Sequence, residues 1–318
     1  RRHAPERRGE RGLARVSKPE FETYRCRADD EGLRIERVLA RRLDLSPDRV
    51  GKLLRQKRIW RAGDLIHLER GDTLHSGELL ELRQADVEGP RAAPQPNRKV
   101  TLKVLHEDAA LIVINKPARR VVHPGPKHSN DSLLNGLIAA YPELLELGEE
   151  RGYGLVHRLD KDTSGVLVVA RTPEAYDALR AAFSKREVEK QYVALVRGAP
   201  PDAEGTIDAE IQGQEAITRC RLDEQRGPVA KLTLWPKTGR THQLRIHLAG
   251  IDCPVLADPR YGTGLDEITA RLYLTRHALH AESIQLSHPT SGERMSWETP
   301  WPGDLRKAWQ RAAKVADS

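Results

Sequence analysis

The uninterrupted apolar runs of this chain are short, such as Ala109–Ile114 and Val166–Ala170, each closed off by charged or turn-forming residues. Neither approaches the ~18 residues of a membrane-spanning helix. Their length and β-branched content suit short buried strands. A chain of 318 residues, at ~150 residues per domain, suggests about two domains, enough to enclose such strands in a core.

Other classes fall away on composition. Cys26, Cys220 and Cys253 are far apart and form no CxxC pair, so no disulfide framework is expected and a reducing cytoplasm is the expected compartment. Arg1–Glu20 is Arg-rich and lacks the apolar centre of a secretory signal. His242 and His247 are the nearest approach to a metal pair, and five-residue spacing separates them by roughly 140° on a helix. No metal site is expected.

The formal net charge is +7, and it is unevenly spread. Residues 1–97 carry a net +5 and residues 98–318 only +2. Residues 33–61 hold ten Arg or Lys against Glu36, Asp44 and Asp48. A basic block inside a foldable segment suggests a polyanion partner, because clustered cations release counterions from phosphates. A solvated helix face would show the same charge pattern.

The pattern along the chain gives four segments. Residues 1–20 read as a disordered basic arm. Residues 21–84 form a small domain. In it Leu33, Ile35, Val38, Leu39 and Leu43 approximate helical spacing. Ser46-Pro47 opens a second helix whose basic side chains are Arg49, Lys52, Arg55, Lys57 and Arg58. From Ile59 to Leu82 short apolar runs alternate with turns and read as strands. Residues 85–98, holding Pro90, Pro94 and Pro96, read as a linker. Residues 99–318 form the second domain. It has expected strands at Leu102–Val104, Leu111–Ile114, Gly165–Ala170, Tyr192–Val196, Ile207–Ile211 and Val229–Leu234. Helices are expected at Leu133–Leu147, from Thr172, from Thr241 to Leu248 with Gly250 as its stop, and from about Asp304. The class is α+β.

Two basic helices followed by short strands resemble the αL-motif RNA-binding domain first seen in a small-subunit ribosomal protein, a small α/β unit. In the second domain the densest polar loop is Val156-His157-Arg158-Leu159-Asp160-Lys161-Asp162-Thr163-Ser164-Gly165, directly before a buried strand. Its HRLDKDTSG run resembles the catalytic motif of the RluA-type pseudouridine synthases (the RluC/RluD-like branch). Other family signatures follow in order: Asn115-Lys116-Pro117 with Val122-His123-Pro124, Glu189-Lys190-Gln191-Tyr192, Gly239-Arg240-Thr241-His242-Gln243-Leu244-Arg245-Ile246-His247, Asp258-Pro259-Arg260-Tyr261-Gly262, and Leu279-His280-Ala281. The resemblance spans roughly residues 100–300. Arg119 stands where the family usually has Gly.

The resemblance implies a mixed, largely antiparallel sheet around a central cleft, no cofactor, and isomerisation of uridine to pseudouridine in RNA. Bacterial 23S ribosomal RNA is the expected partner. The alternatives are transfer RNA as substrate, or a non-catalytic RNA-binding or ribosome-assembly protein. By motif position Asp160 is the catalytic carboxylate, Arg245 its cationic partner and Tyr192 the ring that stacks on uracil. Arg158 fills the space that a displaced base leaves. Leu244 and Ile246 are expected to wall the pocket. A carboxylate in a pocket that excludes water needs such a partner to stay ionised. At ~4 Å and an effective dielectric near 20 the attraction is about 4 kcal/mol. His157, Asp162, Thr163 and Ser164 are expected to shape the loop. A monomer is expected.

Overall fold

The computed structural model describes residues 21–42, 46–55, 59–61, 68–83, 93–125, 128–211 and 213–316. The expected basic arm lies outside them, as do Lys57 and Arg58. The chain divides into two compact units, Arg1–Ala92 and Ala93–Ser318.

The first unit runs β1 (Phe21–Arg25), α1 (Ile35–Arg42), α2 (Pro47–Arg55), β2 (Ile59–Arg61) and β3 (Leu79–Arg83). The strands form an antiparallel sheet in the order β1-β3-β2. Apolar spacing places Ile35, Val38 and Leu39 of α1, and Val50, Leu53 and Leu54 of α2, in one core with Ile59 and Leu80. The basic block is partly neutralised at home. Arg41 and Arg42 pair with Asp29 and Asp30, Arg61 pairs with Glu78, and Glu36 pairs with Arg70. Arg34, Arg37 and Arg55 remain exposed. Arg49 and Lys52 also stand on α2.

The second unit is built on one nine-stranded sheet. Its elements are β4 (Val104–Glu107), β5 (Leu111–Lys116), α3 (Leu133–Ala140), β6 (Ser164–Ala170), α4 (Pro173–Ser184), β7 (Glu189–Arg197), β8 (Glu204–Asp208), β9 (Ile217–Arg226), β10 (Val229–Pro236), α5 (Gln243–Gly250), α6 (Glu267–Arg271), β11 (Leu279–Ser287), β12 (Arg294–Glu298) and α7 (Gly303–Ala316). The sheet order is β4-β5-β6-β11-β7-β10-β9-β8, and β12 also pairs with β11. Only the β6–β11 pairing is parallel, so the sheet is mixed and largely antiparallel.

Several local expectations shift. Leu133–Leu147 is not one helix: α3 stops at Ala140, Tyr141 leaves the helical region (φ −131°, ψ 75°), and a 3₁₀ turn covers Pro142–Leu147. Proline disfavours helical backbone in the residue before it. β4 begins at Val104 rather than Leu102, and β8 ends at Asp208 rather than reaching Ile211. Thr172 caps α4 by accepting from Ala175 N, with Pro173 in the first turn, as its sequence predicts.

Thr241 does not cap α5. The helix starts at Gln243 after a left-handed His242 (φ 58°), and Gly250 is its last residue rather than its stop. The Gln243 carboxamide takes over the turn, its Oε1 accepting from Arg240 N at 3.0 Å and from Thr238 Oγ1 at 2.7 Å.

Gly165 is required by contact. It opens the parallel pairing with β11 at φ 124°, and a Cβ there would lie 2.0 Å from the Ala281 carbonyl oxygen. That approach seats the Arg158–Thr163 loop at the end of a central strand.

Candidate active site

Three elements converge on one cleft. The loop before β6 brings Leu159, Asp160 and Thr163, β7 brings Lys190 and Tyr192, and the stretch from the end of β10 into α5 brings Pro236, Thr238, His242, Leu244 and Arg245. Asp160, Tyr192 and Arg245, which are remote in sequence, therefore line the same space. Leu244 lines it too. Ile246 does not: two helical residues turn it ~200° away from Leu244.

Arg245 is the organising charge. It is nearly buried, with 6% of its surface exposed. Its Nη1 donates to Asp160 Oδ2 at 3.0 Å, while Nε and Nη2 donate to Asp258 Oδ2 and Oδ1 at 2.6 and 2.8 Å. Burial disfavours the guanidinium charge, and the hydrogen bonds of Asp258 and Asp160 outweigh it, so the pKa is raised. Asp258 is fully buried, and burial alone would raise its pKa. The Arg245 bonds and the amides of Arg260 and Tyr261 hold it below the usual carboxylate range. The Tyr261 ring lies 5.1 Å from the guanidinium carbon.

His242 joins this group. Its left-handed backbone puts Nε2 3.8 Å from Asp160 Oδ1, and Nδ1 lies 3.0 Å from the Tyr261 hydroxyl. Burial lowers the imidazole pKa, which favours the neutral ring. On β7, burial and then Asp160 push the Tyr192 phenol far up, so the hydroxyl stays protonated. The ring is half-buried, with its surface on the cleft.

The Asp160 loop is held from behind by buried polar groups. Lys116 at the end of β5 is fully buried and uses all three ammonium donors on the carbonyls of Pro117, Arg120 and Lys161, at 2.9, 2.8 and 3.0 Å. Burial lowers its pKa to about 7, against the raising effect of Asp162. Arg276 ties Asp304 of α7 to the Asp162 carbonyl. Thr163 bonds His277 at 2.8 Å, and Ser164 bonds His280 at 2.9 Å. His157 Nε2 accepts from Val168 N, and the ring stacks on Phe183, a shaping contact. Arg158 is exposed on the same loop.

Asp258, His242, Lys116 and His277 are site residues whose roles motif position left unassigned. Asp258, His242 and Lys116 did lie inside signature runs, but nothing in a run says which group it meets. Among the described residues no group of three or more His, Cys, Asp or Glu is placed to hold a metal ion.

A buried guanidinium pinned by one carboxylate and presented to another holds that second carboxylate ready to act as a nucleophile or a base. It leaves Asp160 as a paired anion facing a cleft with an aromatic wall. Comparison with known proteins agrees with this class. Residues 110–250 match the family described as RNA pseudouridylate synthase. The ribosomal large subunit pseudouridine synthase D of Xanthomonas campestris is 40% identical over 258 residues, covering 74% of this chain and 76% of the relative. Its namesake in Escherichia coli O157:H7 is 34% identical, covering 86% and 89%. Among solved structures, human RNA pseudouridylate synthase domain containing 4 superposes with a TM-score of 0.54 at 26% identity, over 66% of this chain and 92% of that one. The fold is that of the pseudouridylate synthases. The chain belongs to the RNA pseudouridylate synthase family and is an enzyme that isomerises uridine to pseudouridine in RNA.

Proposed function

We propose that the substrate is uridine in bacterial large-subunit ribosomal RNA, and that Asp160 is the catalytic carboxylate. The observation that carries the assignment is the Arg245–Asp160 bond at 3.0 Å, with Asp258 fixing the far side of the guanidinium. The ribosomal substrate is supported by the names of relatives that match most of the chain.

The reaction breaks the N1–C1′ bond of uridine and forms a C5–C1′ bond. The proton lost from C5 is balanced by one gained at N1, so the isomerisation is redox-neutral, and we assign it no cofactor or metal. Asp160 acts at the ribose, by attack on C1′ or by removing a proton from C2′. Arg245 neutralises the carboxylate before and after that step. Tyr192 stacks on the uracil and offers a protonated hydroxyl. Arg158, exposed beside Asp160, takes the place of the displaced base. The first unit, with Arg49, Lys52 and Arg55 on α2 and exposed cations on α1, binds RNA. We take the enzyme to act as a monomer, in the cytoplasm where a ribosomal substrate is found.

The test is pseudouridine mapping in ribosomal and transfer RNA from cells lacking the protein, complemented with wild type or Asp160→Asn. The expected result is loss of specific 23S sites, restored by wild type and not by the variant. Loss confined to transfer RNA would overturn the ribosomal substrate. Restoration by Asp160→Asn would overturn the catalytic assignment.

A further inference from the structure

Arg119 is an exposed arginine in a left-handed backbone conformation, φ 64°. A side chain with a Cβ is disfavoured there, and glycine is the unstrained choice. The residue lies on the turn that the Lys116 ammonium anchors, and its neighbour's amide, Arg120 N, donates to the Lys161 carbonyl at 3.1 Å, one residue from Asp160. The guanidinium reaches across to the loop before β11, where Nη2 donates to Thr275 Oγ1 at 2.5 Å. It makes no carboxylate ion pair among the described residues. Nor do Arg158 and Lys161, exposed on the Asp160 loop, or Arg260, exposed over the Tyr261 ring. On the far strands of the sheet, by contrast, Arg219, Arg221 and Arg226 each pair with an acidic residue.

We propose that Arg119 is a phosphate-binding residue for the RNA strand that enters the Asp160 cleft, and that its backbone strain is tolerated for the sake of the guanidinium it places there. A neutral threonine hydroxyl is a weak partner for a guanidinium. A phosphate oxygen offers a charge-assisted, bidentate alternative. The position on the rim, away from the reacting atoms, makes this a binding and register contact rather than a catalytic one. Strained residues gather where a ligand must be gripped, and the other rim cations continue the track that the phosphates would follow. The inference rests on the RNA substrate reading above.

The test compares wild type with Arg119→Gly, Arg119→Lys and Thr275→Val on unmodified large-subunit ribosomal RNA fragments, reading affinity across a salt series, kcat and KM, and Tm. Arg119→Gly removes the strain with the charge, so Tm should hold or rise. Affinity should fall about tenfold, as expected for one charged hydrogen bond, with the loss in KM and not kcat. The log–log salt slope should fall by ~0.7–0.9, the value of one phosphate contact. Arg119→Lys should keep the slope, and Thr275→Val should bind as wild type does. An unchanged slope and affinity in Arg119→Gly would overturn the proposal. So would an equal loss in Thr275→Val, which would make Arg119 a latch between loops. Binding is read without turnover, so failure of wild type to convert the RNA would count against the substrate reading and not against Arg119.

Discussion

Asp258 grips Arg245 with both carboxylate oxygens, at 2.6 Å to Nε and 2.8 Å to Nη2, and leaves Nη1 for Asp160. The guanidinium is therefore fixed in plane before any substrate arrives, so little reorganisation remains to be made during the reaction. Because Asp258 is fully buried and its remaining contacts are backbone amides, its function is to position Arg245.

Asp258→Asn should separate that role from substrate binding. The amide keeps the shape but offers a single acceptor, so Arg245 is free to tilt. A misplacement of ~1 Å can lower a rate about 10²-fold, and the loss should appear in kcat with KM within a few-fold. Weakening a buried ion pair should also lower stability, on the order of 3 kcal/mol. Steady-state kinetics and thermal melts on one preparation check both. An unchanged kcat would remove Asp258 from the site.

Acid should loosen the Asp160 loop through His277. Burial lowers this imidazole from 6.5 to about 4, and its bond to Thr163 is made by the neutral ring. The unfolded chain takes up the proton near pH 6.5, whereas the folded chain resists it until about pH 4. Stability is therefore complete above pH 6.5 and declines as pH falls towards 4, by about 3 kcal/mol from this residue. Denaturant melts across that window should show the decline, and His277→Gln should flatten it. Parallel curves for the two proteins would contradict the assignment.

Arg158→Ala should discriminate between RNA substrates. The side chain is exposed beside Asp160 and pairs with no carboxylate among the described residues. If it replaces a displaced base, modification of folded ribosomal RNA should slow by roughly 10–100-fold, while a short unstacked oligonucleotide loses only a few-fold. Equal losses on both would make it a plain phosphate contact.

Removal of residues 1–92, at the boundary between the two units, should leave turnover on a minimal substrate and weaken binding to long RNA. Arg41, Arg42 and Arg61 are already ion-paired, so the smaller set including Arg34, Arg37 and Arg55 should set the salt dependence. The log–log slope should fall by ~2–4, at ~0.7–0.9 per lost phosphate contact. An intact slope would mean that this unit does not bind RNA.

Much of the molecule was legible one segment at a time. The β-branched run at Val166–Ala170 became the fully buried β6, and Thr172-Pro173 opened α4 where its capping chemistry required. Asp160 stood out in a loop crowded with charged and hydroxyl residues, and Tyr192 and Arg245 through the signature runs that resemble those of the pseudouridine synthases. Periodicity and capping report on neighbours within a turn or a strand, and these features are local.

What the fold alone decided is partnership across long sequence distances. Asp258 meets Arg245 only because the chain after α5 turns back beneath it. Thr163 meets His277 only because β6 and β11 run parallel with Gly165 pressed against Ala281. His242 reaches Asp160 because Gln243, rather than Thr241, secures the start of α5 and leaves the histidine left-handed. Ile246 turned away from the cleft for the same reason that Leu244 faced it, the phase of a helix whose start no local signal fixed. The sequence determined which residues are candidates for the chemistry, since residue type and local spacing are properties of a segment. Tertiary structure decided which charge faces which, because an ion pair depends on strand register and loop closure, and these are set only when the whole sheet is assembled.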